Sequence, residues 1–175
     1  MRRPLTPQEI IELDQVLVEA FALHRAFQSR VPVARYIKFP QIPAVLGESF
    51  VIAAASKLFG VDWKAAFGGS LSDVQLLSPI GLKRRVEVKS TAHHGFQELK
   101  FKDLSADTLV WICFDKRFEE GYGAIQVVIL NNPGKYIFNP VKLNIARLMR
   151  EVGDTSDLRK IEVADLEGFL LSAEQ

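Results

Sequence analysis

The segment Ser72–Lys89, SDVQLLSPIGLKRRVEVK, is the part of the sequence that is most informative about the fold. Two stretches in which apolar and polar residues alternate are separated by a serine, a proline and a glycine, which are typical of a turn. The segment therefore predicts a β-hairpin whose strands pair about Ile80. In that register Asp73 lies directly opposite Glu87.

Side chains of a strand alternate between two faces, so Glu87 and Lys89 share one face while Val86 and Val88 share the other. With Asp73 opposite Glu87, the Cβ atoms of the two acids are about 5 Å apart. Carboxylates this close repel each other unless a cation or a shared proton offsets their charge. Such oxygen ligands favour Mg²⁺, for which Mn²⁺ can substitute. Lys89 would then orient a water molecule or stabilise developing negative charge.

An acid before a turn, followed by Glu87 and Lys89 in an apolar strand, resembles the PD-(D/E)XK nuclease superfamily over about residues 43–115. Ser72 stands where the motif that names the superfamily has proline. The resemblance implies an α/β fold with a mixed central β-sheet flanked by helices, as in restriction endonucleases. It also implies that Asp73 and Glu87 bind Mg²⁺ and that Lys89 positions the attacking water.

Glu48 is a fourth candidate catalytic residue. It is the one acid in the apolar first half of a helix that we predict from Pro43 to Phe59, with Gly60 as its stop. The resemblance implies that Glu48 matches the acid found on the preceding helix of many superfamily members. A position on the solvent face of this helix remains open.

Charge is divided unevenly along the chain. Residues 1–102 contain 14 Lys and Arg against 9 Asp and Glu, whereas residues 103–175 contain 8 against 12. Basic clusters of this kind suit a phosphate backbone, and the donor-rich loop predicted at 90–102 directly follows the catalytic strand. The candidate DNA-binding residues are Arg25, Arg30, Arg35, Lys38, Gln75, Arg85, Ser90, Thr91, His93, His94, Gln97 and Lys100.

The remaining patterns predict one domain over residues 1–175. A capping box at Thr6 to Glu9 begins a helix that reaches about Gln28. Residues 6–42 would provide dimer and DNA contacts, and residues 43–130 the catalytic core. We predict strands at 63–67, 108–114 and 123–130, a turn at 119–122, and C-terminal helices near 141–151 and 163–172.

Several classes of protein are disfavoured. The single cysteine, Cys113, excludes an internal disulfide and a multi-cysteine zinc site, and it reads as a buried apolar residue. No apolar run could span a membrane and no signal core is present, so we expect a cytoplasmic protein. Gly68-Gly69 is too short for a phosphate cradle and Gly121-Tyr122-Gly123 is more simply a turn, so we expect no nucleotide cofactor.

Together these features predict a Mg²⁺-dependent endodeoxyribonuclease that hydrolyses double-stranded DNA, most like a small type II restriction endonuclease. We expect a homodimer, because one active site cuts one strand. A structure-selective resolvase or repair nickase, and a non-catalytic DNA-binding subunit, remain open as alternatives. A surface hairpin with a structural salt bridge is the simplest non-functional interpretation, and RNA remains open as a substrate.

Overall fold

The computed structural model describes residues 3–31, 33, 41–70, 72–92 and 95–172. Its α-helices are α1 (Pro7–Arg30), α2 (Ala44–Ala53), α3 (Ala55–Phe59), α4 (Phe101–Leu104), α5 (Asp115–Glu120), α6 (Ile145–Val152) and α7 (Leu166–Leu171). Its strands are β1 (Lys64–Phe67), β2 (Val74–Leu77), β3 (Lys83–Thr91), β4 (Gln97–Leu99), β5 (Thr108–Cys113), β6 (Ile125–Asn131), β7 (Val141–Leu143) and β8 (Leu158–Val163). A short 3-10 helix covers Pro133–Lys135.

Six of the described strands form one sheet in the order β1-β2-β3-β5-β6-β8. β3 and β5 are parallel, and the other neighbours are antiparallel. β4 and β7 form a separate antiparallel pair. The protein is therefore a mixed α/β fold with a mixed central sheet flanked by helices, as the sequence predicts.

Both faces are buried in the middle of the central sheet, each under its own hydrophobic cluster. Val86, Val88 and Val110 face the cluster formed with α1, α2, α3, α5 and α7. Leu109 and Trp111 face the opposite cluster, which includes residues of α4, α6, β4 and β7. Because both faces are covered, a charged side chain in the middle of β3 is removed from bulk water.

The N-terminal helix forms as the capping box predicts. The Thr6 side chain accepts a hydrogen bond from the Glu9 backbone N–H, and the Glu9 carboxylate accepts one from the Thr6 N–H. Pro7 occupies the first helical turn, where its missing N–H costs nothing. Neither α1 nor any other helix in the described part of the chain is long and apolar enough to cross a membrane.

The predicted helix from Pro43 to Phe59 is present but divided. α2 ends at Ala53, α3 begins at Ala55, and Gly60 at φ +114° stops the second piece. Cys113 is buried, as expected, and its burial raises the pKa of its thiol to about 12.

The predicted helices near 141–151 and 163–172 are present as α6 and α7, but the second half of the chain departs from the prediction in three places. Residues 141–143 and 158–163 are strands, so the C-terminal third contains β7 and β8 as well as two helices. The apolar residues of β8, at 158, 161 and 163, interrupt the period of two that marks a strand. The segment 115–120 is the helix α5, and only Gly121, in the left-handed region, makes the predicted turn.

Candidate active site

The hairpin register places Asp73 opposite Glu87. Val74 pairs with Val86 and Gln75 with Arg85, which is the register centred on Ile80 that the sequence predicts. Asp73 precedes β2 by one residue and continues this register. Its Oδ2 accepts a hydrogen bond of 3.0 Å from the Val88 backbone N–H, which fixes the carboxylate against β3.

Glu87 is a buried carboxylate on the β3 face opposite the valines. It is 3% exposed, and its Oε1 lies 3.0 Å from the Lys89 Nζ. Its Oε2 has no hydrogen-bond partner among the described residues. An unsatisfied buried oxygen is costly, and a carboxylate oxygen more so, so this atom marks a place that a cation suits.

Asp103 completes the surroundings of Lys89. Its Oδ2 lies 3.0 Å from the Lys89 Nζ, and the same oxygen accepts a hydrogen bond of 2.8 Å from the Lys100 backbone N–H. Asp103 is 3% exposed and lies on α4. Lys89 is thus held between a carboxylate of its own strand and a carboxylate of a short helix that covers the strand.

Lys102 lies on the other side of the acid pair. Its Nζ is 3.6 Å from Asp73 Oδ1 and 3.5 Å from Glu87 Oε2. The side chain is 47% exposed, in contrast to 17% for Lys89. Two ammonium groups therefore face three carboxylates.

The surroundings raise the pKa values of both Glu87 and Lys89. Burial, and then the hydrogen bond with Asp103, raises the pKa of Glu87 to about 7, while Lys89 opposes this shift. Burial disfavours the charged form of Lys89, but the attraction of Glu87 and Asp103 outweighs it and raises the pKa of Lys89. Lys89 therefore remains an ammonium at neutral pH and acts as a donor of hydrogen bonds, not as a base.

Glu48 shares a cleft of about 330 Å³ with Asp73, Glu87 and Lys89. It is 8% exposed and lies in α2. The close approach of α2 to β3 explains its place, because a Cβ at Gly47 would lie only 2.1 Å from the Ser90 Oγ. The structure thus brings the four candidate catalytic residues to one cleft.

The predicted loop at 90–102 is largely regular structure, which corrects the interpretation of several candidate DNA contacts. Thr91 belongs to β3, is buried, and accepts a hydrogen bond of 3.0 Å from the Trp111 indole N–H, so its hydroxyl faces the core. Ser90 and Gln97 line the cleft, and the Gln97 side chain donates to the Ser90 carbonyl at 3.0 Å. Lys100 is exposed just before α4.

The hairpin candidates Gln75 and Arg85 are cross-strand partners, but Arg85 is already engaged. Its guanidinium donates to the Ser105 carbonyl and lies 3.6 Å from Asp107. This pairing ties β3 to the start of β5, so a direct phosphate contact would require Arg85 to leave it.

The basic residues of α1 are also engaged within the chain. Arg25 donates to the Phe118 carbonyl of α5, and Arg30 donates to the Ala26 carbonyl at 3.3 Å. These bonds make Arg25 a link between two helices. The other candidates, Arg35, Lys38, His93 and His94, lie outside the described residues.

Sequence reasoning missed Asp103 and the place of Lys102. The spacing of Lys100 and Asp103 resembles a helix start, since an acid at the third helical position accepts from the backbone at the cap. That signal predicts the short helix but not its position over β3.

Comparison with protein-family models, curated proteins and solved structures found no match.

The donor set fits a Mg²⁺ ion held by few protein ligands. No group of three or more His, Cys, Asp or Glu side chains in the described residues is arranged to hold a metal. Asp73 Oδ1 and Glu87 Oε2, however, face one common position, and Glu87 Oε2 lacks a hydrogen-bond donor. Mg²⁺ is usually held by one or two carboxylates, with water and substrate phosphate completing its shell.

Proposed function

We propose that this chain is a Mg²⁺-dependent endodeoxyribonuclease of the PD-(D/E)XK type, most like a small type II restriction endonuclease that acts in the cytoplasm. One observation carries the proposal: Asp73 Oδ1 and Glu87 Oε2 face the same cation position beside the ammonium of the partly buried Lys89. The resemblance of the motif to that superfamily supports it.

The roles of the residues follow from their surroundings. Asp73 and Glu87 would hold Mg²⁺, which would supply an activated water and offset the charge of the scissile phosphate. Lys89, fixed by Glu87 and Asp103, would donate a hydrogen bond to the attacking water or to a phosphate oxygen. Glu48 faces the same cleft and would orient water from the α2 side.

A non-catalytic DNA-binding subunit is the second candidate. The ion pairs favour it, because Lys89 and Lys102 already compensate much of the charge of Asp73, Glu87 and Asp103. A purely structural cluster would nevertheless be expensive, since burying charges costs more than hydrophobic packing of the same volume.

The first experiment is incubation of the purified protein with plasmid DNA at low salt, with Mg²⁺ and with EDTA, followed by gel electrophoresis. Discrete fragments that require Mg²⁺ support a restriction endonuclease. Cleavage of branched or damaged DNA alone would instead identify a structure-selective nuclease. If none of these DNA substrates is cut, the non-catalytic DNA-binding subunit is the remaining candidate.

Variants of Lys89 test the assignment of the site. Lys89→Ala should lower the cleavage rate at least about 100-fold, because a donor aimed at the transition state is lost. Metal-independent DNA binding should persist. Lys116→Ala, which removes an exposed lysine of α5, is the matched control and should cleave normally. Full activity in Lys89→Ala would exclude the proposed site.

The proposed homodimer has a candidate surface on α1. Val16, Leu23 and Phe27 are 59%, 73% and 42% exposed, and their spacing places them on one helix face. Antiparallel packing against α1 of a second copy would bury this stripe and bring Glu12 near Arg30 of the partner. The reversal of charge along α1 therefore favours a second copy of this chain as the occupant.

Sedimentation tests this surface. Leu23→Glu should shift the protein from dimer to monomer, whereas Ala22→Glu, a change at another exposed position on a different face of α1, should not. A wild-type protein that sediments as a monomer at micromolar concentration would contradict the homodimer. A dimer that Leu23→Glu leaves intact would place the interface elsewhere.

A further inference from the structure

Lys102 is the charged residue beside the acid pair to which the proposed chemistry assigns no role. Its ammonium lies between Asp73 Oδ1, at 3.6 Å, and Glu87 Oε2, at 3.5 Å. These are the two oxygens that would bind Mg²⁺ under the proposed function. Mg²⁺ requires ligand oxygens at about 2.0–2.1 Å, so it cannot share that position with an ammonium.

The two lysines of the cluster differ in how firmly they are held. Lys89 lies 3.0 Å from each of two carboxylates and is mostly buried. Both contacts of Lys102 are longer, its side chain is 47% exposed, and Glu87 Oε2 remains without a hydrogen bond. Lys102 therefore offsets charge without making the short bonds that would fix it.

The backbone of Lys102 is anchored even though its ammonium is not. Asp103 accepts from the Lys100 backbone N–H, and Leu104 is buried in the hydrophobic cluster beneath α4. The ammonium stands at the end of a flexible four-carbon stem with three rotatable donors. It can leave the acid pair by rotation of the side chain alone.

We propose that Lys102 is an intramolecular counter-cation of the Asp73–Glu87 pair, and that a divalent cation must displace its ammonium in order to bind. This inference rests on the proposed metal site. The Lys102 ammonium would compete with the metal ion and so lower the affinity of the site for free metal. Lys89 has no such role, because it contacts Glu87 Oε1 and Asp103, away from the shared position.

Calorimetric titration with MnCl₂ in the absence of DNA tests the competition. Lys102→Gln removes the charge at a half-exposed position and should bind Mn²⁺ about tenfold more tightly than the wild type. Lys102→Arg keeps the positive charge and should retain the weaker, wild-type affinity. Lys116→Gln makes the same change in net charge far from the acid pair in sequence and should also leave affinity unchanged.

The outcomes separate this inference from the proposed function. If wild-type protein binds Mn²⁺, Asp73→Asn abolishes that binding, and Lys102→Gln binds equally or more weakly, the competition is overturned while the metal site stands. If neither the wild type nor Lys102→Gln binds Mn²⁺, the metal site and the competition both fail. The inference is supported if Lys102→Gln binds Mn²⁺ more tightly than the wild type while Lys102→Arg and Lys116→Gln do not.

Discussion

Asp103, which is buried, and Lys89, which is partly buried, form an ion pair in which the Lys89 Nζ lies 3.0 Å from Asp103 Oδ2. The same carboxylate oxygen accepts a hydrogen bond from the Lys100 backbone N–H. One atom therefore both caps the N-terminus of α4 and orients Lys89 of β3. Under the proposed function Asp103 would therefore be a positioning residue, which acts on the site through Lys89 and Glu87.

Asp103→Asn should lower the rate of cleavage by about 10- to 100-fold, the usual effect of removing a residue that orients a site. Asparagine can still accept from Lys100, so α4 should form. The hydrogen bond with Asp103 contributes to the raised pKa of Glu87, so the acidic limb of the pH–rate profile should move to lower pH. Asp62→Asn, in an exposed turn, is the control, and an unshifted profile in Asp103→Asn would assign Asp103 a purely structural role.

The stability of the metal-free protein should decrease as pH rises from about 4.5 to about 7. Burial raises the pKa of Glu87 from 4.5 to about 7, so the folded state binds this proton more tightly than the unfolded chain. Protonated Glu87 therefore contributes up to about 3 kcal/mol to the free energy of unfolding. This contribution is complete below the pKa of Glu87 in the unfolded chain and is lost as the pH rises through its pKa in the folded protein. Urea unfolding in EDTA across this range measures the effect.

Glu87→Gln supplies the matching control for that pH dependence. Glutamine cannot titrate, so the decrease between pH 4.5 and 7 should disappear in this variant. Glu98→Gln, on an exposed position of β4, should retain the wild-type slope. An equal slope in Glu87→Gln would assign the decrease to other groups.

Asp14 and Arg117 should contribute strongly to stability. Asp14 is fully buried, and its two oxygens lie 2.8 and 2.7 Å from the Arg117 Nε. Asp14→Ala leaves this guanidinium without its partner and should lower the free energy of unfolding by about 3–5 kcal/mol. Replacing both residues, as Asp14→Leu with Arg117→Met, should recover most of the loss. Gln15→Ala, an exposed neighbour, should have little effect, and a similarly small loss in Asp14→Ala would contradict the prediction.

Gly47→Ala should destabilise the protein through a single contact. The added methyl group would lie 2.1 Å from Ser90 Oγ, whereas its distances to Val88 and Ile112 would be ordinary, at 3.4 and 3.5 Å. We expect a cost of about 1–3 kcal/mol in thermal or urea unfolding. Adding Ser90→Ala should restore most of it. Gly69→Ala, with no atom within 4 Å of the new methyl group, is the control.

The hairpin could be predicted because the residues that determine it are close together in the sequence. Alternation and the turn signal fix which residues are paired, and a shift of one residue would exchange the buried and exposed faces. The same holds for α1, whose first turn carries a complete capping box. Asp73, Glu87 and Lys89 could therefore be placed together from the sequence.

Asp103 could not be placed in that way, because its contact with Lys89 depends on how the chain returns over β3 after β4. No periodicity encodes that return. β8 was missed for a related reason: it is an outer strand of the described sheet, and its burial pattern lacks a regular alternation. The residues that β2 and β3 contribute to the site could thus be predicted from the sequence, whereas those contributed by α4 could not.

The acid pair joins two parts of the sheet that differ in burial: β1 is at most half-buried, whereas every residue of β5 is buried. Asp73 adjoins β2, which pairs with the outer strand β1, whereas Glu87 lies in β3 between β2 and the fully buried β5. Proteins open in such cooperative pieces before they unfold globally. If β1 and β2 open first, Asp73 separates from Glu87 while the rest of the sheet persists, so cleavage should be lost on heating before the core melts. A cation bound by both acids would fasten this outer hairpin to the core and slow amide exchange in β2 more than in β5.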